Sequence, residues 1–116
     1  MIEYLGERTY LDELDAEKQV WVARGEYRNI YALEIENQAF SVPTWSTRNR
    51  VEAYLKSSLL HQRFEPHAIP LWEFANSWLS DQMRGIAEVQ VNPCGKASRV
   101  LAMTNEEFQQ KVEPFT

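Results

Sequence analysis

The sequence predicts an α+β fold, with an antiparallel sheet of about five strands and helices packed mainly on one face as a two-layer sandwich. Runs rich in β-branched and aromatic residues, one of them with a period of two, predict strands. Other runs repeat apolar residues at helical spacing, and Pro, Gly and Asn separate the elements. With 116 residues, 44% of them hydrophobic, the chain can bury one core, so we expect residues 1–116 to form a single domain.

The first element is predicted to be a short helix in the stretch TYLDELDAEK. Thr9, followed three residues later by an aspartate, resembles a capping box and predicts that the helix begins there. Tyr10, Leu11 and Leu14 would then share one face of the helix.

Two strands are expected next, in the runs QVWVA (19–23) and IYALEIE (30–36). Gly25 lies between them and can form a turn, which predicts that the two runs pair as a hairpin. In the second run apolar residues alternate with Glu34 and Glu36, a pattern that is typical of a half-buried strand.

A third short strand is predicted after a turn at Asn37. Phe40 and Val42 would lie on one of its faces. Pro43 would end it, because proline cannot donate a hydrogen bond to a strand ladder. The three strands are therefore expected to form an antiparallel meander.

Helical spacing replaces the period of two after Trp45. Ser46 or Thr47 can cap a helix at this point. The residues that recur at helical spacing in this segment are Val51, Tyr54, Leu55, Ser58 and Leu59. A connector follows, and we expect a short extended piece within it at His67–Ile69.

A second long helix is predicted from Pro70, which fits a first helical turn because its missing N–H is harmless there. Gly85 is the expected stop of this helix. Its apolar stripe comprises Leu71, Phe74, Ala75, Trp78 and Leu79.

The C-terminal part is predicted to contain two strands, IAEVQV (86–91) and SRVLAM (98–103), joined by the hairpin-sized loop NPCGKA. Thr104, with a glutamate three residues later, has the spacing of a capping box and predicts a last helix. Phe108 and Val112 would form the inner side of that helix.

Five stretches follow one another in an order that resembles a known family: VWVA, PTWST, IPLWEFANSWL, IAEVQVNP and TNEEF. Together, between Gln19 and Val112, they resemble the bacterial domain-of-unknown-function family 2750. Its members usually have a Trp after a Pro in mid-chain, and a Phe four positions before a Trp in the second helix. The corresponding residues here are Pro43, Trp45, Phe74 and Trp78, with Thr44 inserted after the proline. The resemblance implies an α+β fold and a bacterial cytoplasmic protein; it brings no assigned activity and no catalytic residues.

Charge and cysteine content exclude several classes of protein. Twelve basic and 17 acidic residues give a net charge of −5, which opposes general binding to nucleic acid or anionic membranes and suits a basic protein partner. No apolar run approaches ~18 residues, so we expect no membrane span. The N-terminus lacks the features of a signal peptide. The single cysteine suits a reducing compartment, which predicts a cytoplasmic protein.

Patterns for catalysis and metal binding are weak, so we expect no catalytic residues, no metal and no cofactor. His61 and His67 are separated by a proline-containing segment and lack metal-ligand spacing. Cys94, in NPCG, is interpreted as a turn residue rather than a nucleophile. Glu34 and Glu36 share a strand face and are interpreted as a solvated edge rather than an acid–base pair.

The candidate residues for a ligand or partner site are Trp45, Arg48, Arg50, Trp72, Asn92 and Cys94. The aromatic ring and two cations at 45–50 lie at a helix start, where an anion or a carboxylate could bind. The favoured alternative is that Trp45 packs under the helix and both arginines are solvated. Trp72 falls off the apolar stripe, and it is either an exposed contact residue or packed beneath the connector.

The sequence therefore favours a non-catalytic protein-binding or regulatory module. One form would be an immunity- or antitoxin-like protein that neutralises a basic effector by charge and shape. The alternative is a small-ligand or anion-binding protein, or an enzyme, with a cleft near Trp45 and the NPCG loop. A homo-oligomeric scaffold is a third hypothesis.

Overall fold

The computed structural model describes residues 5–94 and 100–116. The helices are α1 (Leu5–Glu17), α2 (Arg48–Ser57), α3 (Leu71–Glu73), which continues as a π-helical segment (Phe74–Trp78), and α4 (Asn105–Val112). The strands are β1 (Gln19–Arg24), β2 (Leu33–Glu36), β3 (Ala39–Thr44), β4 (Glu65–Pro70), β5 (Ile86–Val91) and β6 (Ala102–Thr104). Two short 3₁₀-helical turns cover Glu26–Arg28 and Glu113–Phe115.

The strands form two sheets. In the first, β1 pairs antiparallel with β4. In the second, the strand order is β2-β3-β5-β6; β3 and β5 run parallel, and the other two pairs run antiparallel. Trp21 and Trp45 exchange two backbone hydrogen bonds of 2.8 Å each, which connect β1 to the end of β3. The predicted α+β class is confirmed, with a parallel pair inside an otherwise antiparallel arrangement.

The predicted hairpin of the first two strands, and with it the meander, is wrong. β1 takes β4 as its ladder partner and meets the segment before β2 at a single bridge, between Arg24 and Ile30. Tyr27 and Arg28, in the intervening turn, have positive φ angles of 58° and 63°. After this turn the Tyr31 N–H still donates a hydrogen bond of 2.8 Å to the Ala23 carbonyl oxygen, but the strand that follows, β2, pairs with β3. The extended piece expected at His67–Ile69 is confirmed as part of β4.

β2 is not the half-buried strand that its alternation predicts. All four of its residues are exposed, because β2 is an end strand and α1 and α4 pack against β5 and β6. β3 also differs from the prediction, since it runs through Pro43 to Thr44. β2 pairs with β3 only as far as Ser41, so at Pro43 the strand has a neighbour on one side only and tolerates a missing N–H.

The first helix begins earlier than predicted. α1 starts at Leu5, so Thr9 lies inside the helix and does not cap it. The shared face is confirmed in part: Tyr10 and Leu14 are fully buried, and Leu11 is half-buried. The Tyr10 hydroxyl forms a hydrogen bond of 2.6 Å with Thr44 Oγ1, and burial raises the pKa of this phenol.

The start of α2 is confirmed and its end is not. The Thr47 side chain accepts a hydrogen bond of 3.3 Å from the Arg50 N–H, as a helix cap does. The helix ends at Ser57, and Leu59, predicted on its apolar side, is 75% exposed with a φ of 62°.

The second long helix is shorter than predicted. α3 and its π-helical continuation end at Trp78, and turns connect them to Gly85, whose φ is 65°. Asp81 Oδ1 accepts a hydrogen bond of 2.9 Å from the Met83 N–H, a local turn that competes with the helix. The predicted stripe is buried apart from Trp78, which is half-buried.

The C-terminal elements largely follow the prediction. β5 and β6 pair antiparallel, although β6 begins only at Ala102. Positions 95–99 of the predicted loop and strand lie outside the described residues. Thr104 Oγ1 accepts a hydrogen bond of 3.1 Å from the Glu107 N–H and caps α4, and Phe108 and Val112 are fully buried.

The buried apolar residues form two clusters. The main cluster is built from residues of both sheets, α1, α4 and the π-helical segment; its large members include Tyr10, Leu14, Phe74 and Phe108. The second lies under α2 and consists of Ala23, Trp45, Val51 and Leu55. Trp45 is therefore a core residue of the junction between the two sheets.

Candidate functional site

Trp45 fills the junction between β1, β3 and α2, and its side chain is fully buried. Its Nε1 donates a hydrogen bond of 3.0 Å to the Pro93 carbonyl oxygen. Its ring packs on Tyr54, with ring centroids 5.1 Å apart. Both the apolar surface and the single donor of the indole are thus satisfied within the protein. This agrees with the interpretation of Trp45 as a packing residue and leaves no open face for a ligand.

Arg48 and Arg50 lie at the start of α2, and each pairs with a carboxylate. Arg48 Nε donates to Glu52 Oε1 at 2.7 Å, and its guanidinium lies 5.8 Å from the centre of the Trp21 ring. Arg50 donates from two nitrogens to both oxygens of Glu13, at 2.9 Å and 3.3 Å. An incoming anion would have to displace these carboxylates, which weakens the case for an anion site here.

Glu13 organises the surroundings of Arg50, and sequence reasoning missed it. Ser46 Oγ donates a hydrogen bond of 2.5 Å to Glu13 Oε1. Burial opposes ionisation of this carboxyl, but hydrogen bonds from Arg50 and Ser46 outweigh it, so the pKa of Glu13 lies below its ordinary value. The one sequence feature that could have pointed to Glu13 is its position three residues after the buried Tyr10, at the border of the inner face of α1.

Asn92 holds the loop after β5 against the start of α2. Its Oδ1 accepts a hydrogen bond of 2.9 Å from the Ser46 N–H, and its Nδ2 donates to Ser46 Oγ at 3.0 Å. Its own N–H donates to the Thr44 carbonyl oxygen at 2.9 Å. The φ of Asn92 is 46°, a left-handed conformation that asparagine adopts more readily than most residues. Asn92 therefore has a structural role at this corner.

A groove of about 380 Å³ runs between α2 and the loop after β5. Its lining includes Arg50, Ala53, Tyr54, Ser57, Asn92 and Cys94. The structure thus brings together three of the predicted site residues, Arg50, Asn92 and Cys94. Trp45 lies behind the wall that Pro93 forms, and neither Arg48 nor Trp72 lines this groove.

The described residues that line the groove include few reactive side chains. Cys94 is an exposed free thiol. Among the described residues that line the groove there is no histidine and no carboxylate, so the thiol lacks a general base there. Burial raises the pKa of the Tyr54 hydroxyl, and a hydrogen bond with Tyr31 raises it further. Tyr54 therefore stays neutral at physiological pH.

Trp72 is exposed to 59%, which decides between its two sequence interpretations in favour of exposure. It belongs to α3, and its carbonyl oxygen accepts a hydrogen bond of 2.9 Å from Asn76 Nδ2. Large exposed aromatic side chains are common at protein contacts, so Trp72 stays a candidate contact residue.

Another exposed apolar feature is β2. Within the described residues no strand pairs with its outer edge, since it is the first strand in the order β2-β3-β5-β6. Leu33 is exposed to 46% and Ile35 to 50%, and Glu34 and Glu36 alternate with them. The sequence pattern identifies the strand but not its place at the edge.

In residues 5–94 and 100–116, no group of three or more His, Cys, Asp or Glu residues is placed to hold a metal ion. In the same residues, no helix has the length and apolar character needed to cross a membrane.

Comparison with protein families gave one result that covers almost the whole chain. The model of DUF2750, described as a protein of unknown function, matches residues 8–112. A comparison with curated proteins found no match.

Proposed function

The chain belongs to the DUF2750 family of proteins of unknown function, and we propose that it is a non-catalytic protein-binding module. Its docking site is the exposed edge strand β2, and its partner is a protein with an extended, basic segment. The segment adds to the four-stranded sheet as a further strand, with backbone hydrogen bonds supplying affinity and alternate side chains supplying specificity.

The observation that carries the proposal is the exposure of β2 on its edge and on both faces. Edge strands present backbone N–H and C=O groups that readily pair with another chain. Proteins commonly protect such edges with short strands, bulges, charged side chains, proline or a covering loop. β2 has four residues, two of them glutamates, and its register shifts between Glu34 and Glu36. Its exposed Leu33 and Ile35 nevertheless offer apolar contacts to a partner whose charge matches the two carboxylates.

Charge complementarity supports a basic partner. Glu34 and Glu36 are exposed on the docking strand, and the whole chain carries a net charge of −5. A segment in which lysine or arginine alternates with apolar residues would match both the carboxylates and the apolar side chains of β2. A basic effector that is neutralised in the manner of an immunity protein or antitoxin is one such partner. The lone cysteine supports a reducing compartment, the cytoplasm, for this interaction.

The alternative of a ligand site or active site near Trp45 has less support. Trp45 is buried, and Arg48 and Arg50 are paired with Glu52 and Glu13. An enzyme would need a nucleophile and a base in hydrogen-bond reach of each other, or a pair of acids in different environments. The described lining of the groove contains neither.

The proposal is tested with a fluorescein-labelled peptide of about eight residues in which lysine and valine alternate. Fluorescence anisotropy measures its binding to the intact protein, and a glutamate–valine peptide serves as the charge control. We expect the lysine peptide to bind, and its affinity to fall as salt concentration rises. We expect the glutamate peptide not to bind.

Matched variants locate the contact. The double variant Leu33→Lys and Ile35→Lys removes the apolar contacts of β2 and adds like charges, so we expect roughly tenfold or greater loss of affinity. Glu34→Lys with Glu36→Lys reverses the charge and should have a similar effect. Glu17→Lys with Glu113→Lys changes the net charge equally at exposed positions outside β2 and should leave most of the affinity. Absence of peptide binding, or equal loss in all three variants, contradicts the proposal.

A further inference from the structure

A small apolar pocket opens beside Trp78, at the margin of the main core, with a volume of about 240 Å³. We call it the Trp78 pocket, and its lining includes Ile30, Ala32, Phe40, Trp78, Arg84 and Ile86. An apolar cavity of roughly 150 Å³ is enough to hold a benzene molecule. The Trp78 pocket therefore has room for a short aliphatic chain or a phenyl group.

Arg84 is the single charged residue in the described lining of this pocket. Its guanidinium carbon lies 4.3 Å from the centre of the Trp78 ring, which holds the planar group against the aromatic wall. Its Nε is 3.4 Å from Asp81 Oδ2, longer than the ~2.7–2.9 Å of a charge-assisted hydrogen bond. The side chain is 46% exposed, so the cation faces both the pocket and the solvent.

The loop that carries Arg84 is fixed at both ends. Asn105 Nδ2 donates hydrogen bonds to the carbonyl oxygens of Leu79, at 2.8 Å, and Ile86, at 2.7 Å. Asn105 is the first residue of α4, and it clamps the two ends of residues 79–86 onto that helix. A pocket whose walls are fixed before binding loses little conformational entropy when a ligand enters.

We infer that the Trp78 pocket binds a small monocarboxylate with an apolar tail of about five carbons. The tail occupies the space between Ile30, Phe40 and Ile86, and the carboxylate accepts hydrogen bonds from the Arg84 guanidinium. Apolar walls with one cation at the mouth suit an amphiphilic anion; a neutral or cationic ligand of the same shape would lack the polar contact. This inference stands on residues other than the docking strand and is independent of the proposed function.

The test uses hexanoate, with pentan-1-ol and pentylamine as probes that have the same five-carbon tail, each titrated to about 10 mM and followed by ¹H–¹⁵N NMR spectra of the intact protein. We expect hexanoate to shift the indole signal of Trp78 and the amide signals of Arg84 and Gly85. Arg84→Gln should weaken hexanoate binding roughly tenfold, because the charge-assisted hydrogen bonds are lost. Arg48→Gln is the matched control, since Arg48 also lies over a tryptophan ring, and it should change nothing.

A second variant separates loss of the site from loss of the fold. Ala32→Phe places a large side chain in the pocket and leaves Arg84 in place; hexanoate binding should disappear while the NMR spectrum remains that of a folded protein. The inference is overturned if hexanoate produces no shifts, if pentylamine or pentan-1-ol binds as tightly as hexanoate, or if Arg84→Gln keeps the wild-type affinity.

Discussion

The indole Nε1 of Trp45 donates a hydrogen bond of 3.0 Å to the carbonyl oxygen of Pro93, across 48 positions of the sequence. The bond ties the residue after β3 to the loop after β5. Because Trp45 is also fully buried, it closes the junction between the two sheets and lies behind the Pro93 wall of the adjacent groove. The largest aromatic side chain near the predicted cleft thus contributes to stability and not to recognition.

Trp45→Phe should destabilise the protein by about 1–3 kcal/mol, because the Pro93 carbonyl loses its donor inside the protein. Trp45→Ala should cost about 3–5 kcal/mol, since it adds a cavity under α2. Urea unfolding followed by circular dichroism measures both changes. Trp72→Phe is the control, because Trp72 is exposed, and it should change the free energy of unfolding by no more than ~0.5 kcal/mol. Equal effects at the two positions would contradict the structural role of Trp45.

Glu13→Gln should lower the free energy of unfolding by about 0.5–1 kcal/mol at neutral pH, because the charged bond to the partly exposed Arg50 is lost. The folded-state pKa of Glu13 is depressed. Its stabilising effect is therefore fully present above the unfolded pKa of about 4.3, and it is lost as pH falls through the lower folded value. The difference in the free energy of unfolding between wild type and variant, measured by urea unfolding at a series of pH values, should become smaller at acidic pH. Glu17→Gln, exposed in the same helix, is the control and should change the free energy of unfolding at neutral pH by no more than ~0.5 kcal/mol.

Gly85→Ala should destabilise the protein by about 2–4 kcal/mol. A Cβ at this position would lie 2.3 Å from the Gln38 carbonyl oxygen, and the φ of 65° disfavours any residue with a side chain. Gly6→Ala, in α1, meets no atom within 4 Å and should stabilise the helix by up to ~1 kcal/mol. Thermal unfolding of the two variants compares them directly, and a shift in the same direction for both would refute this account of Gly85.

Thr104→Ala should cost about 1 kcal/mol, because the N–H of Glu107 loses its capping acceptor at the start of α4. Thr104→Ser keeps the hydroxyl and should retain most of the stability. Chemical denaturation of the three proteins gives the two differences; an alanine variant as stable as the serine variant would show that the cap contributes nothing.

Local features of the fold were predictable from the sequence. The caps at Thr47 and Thr104, the buried Phe108 and Val112, and the β5–β6 pair follow from patterns within a few residues of each other. Capping and helical periodicity depend on neighbours along the chain, and a sequence displays those neighbours directly.

The pairing of distant segments could not be read from the same patterns. β-propensity identifies β1 as a strand, but it carries no information on whether residues 30–36 or β4 will be its partner. The alternation in β2 likewise gives a strand without showing that it lies at an edge, where both faces meet solvent. Glu13 and Arg50 are 37 positions apart, so their pairing depends on the packing of α1 near α2.

Amide hydrogen exchange of Leu33–Glu36 with and without saturating lysine–valine peptide tests the central claim most directly. If β2 is the docking strand, its outward-facing N–H groups become hydrogen-bonded, and their exchange should slow by at least roughly tenfold, whereas amides in α4 should be unaffected. Peptide that binds at saturation while β2 exchanges at its original rate, or with slowing confined to α2 and the groove beside it, would contradict the account.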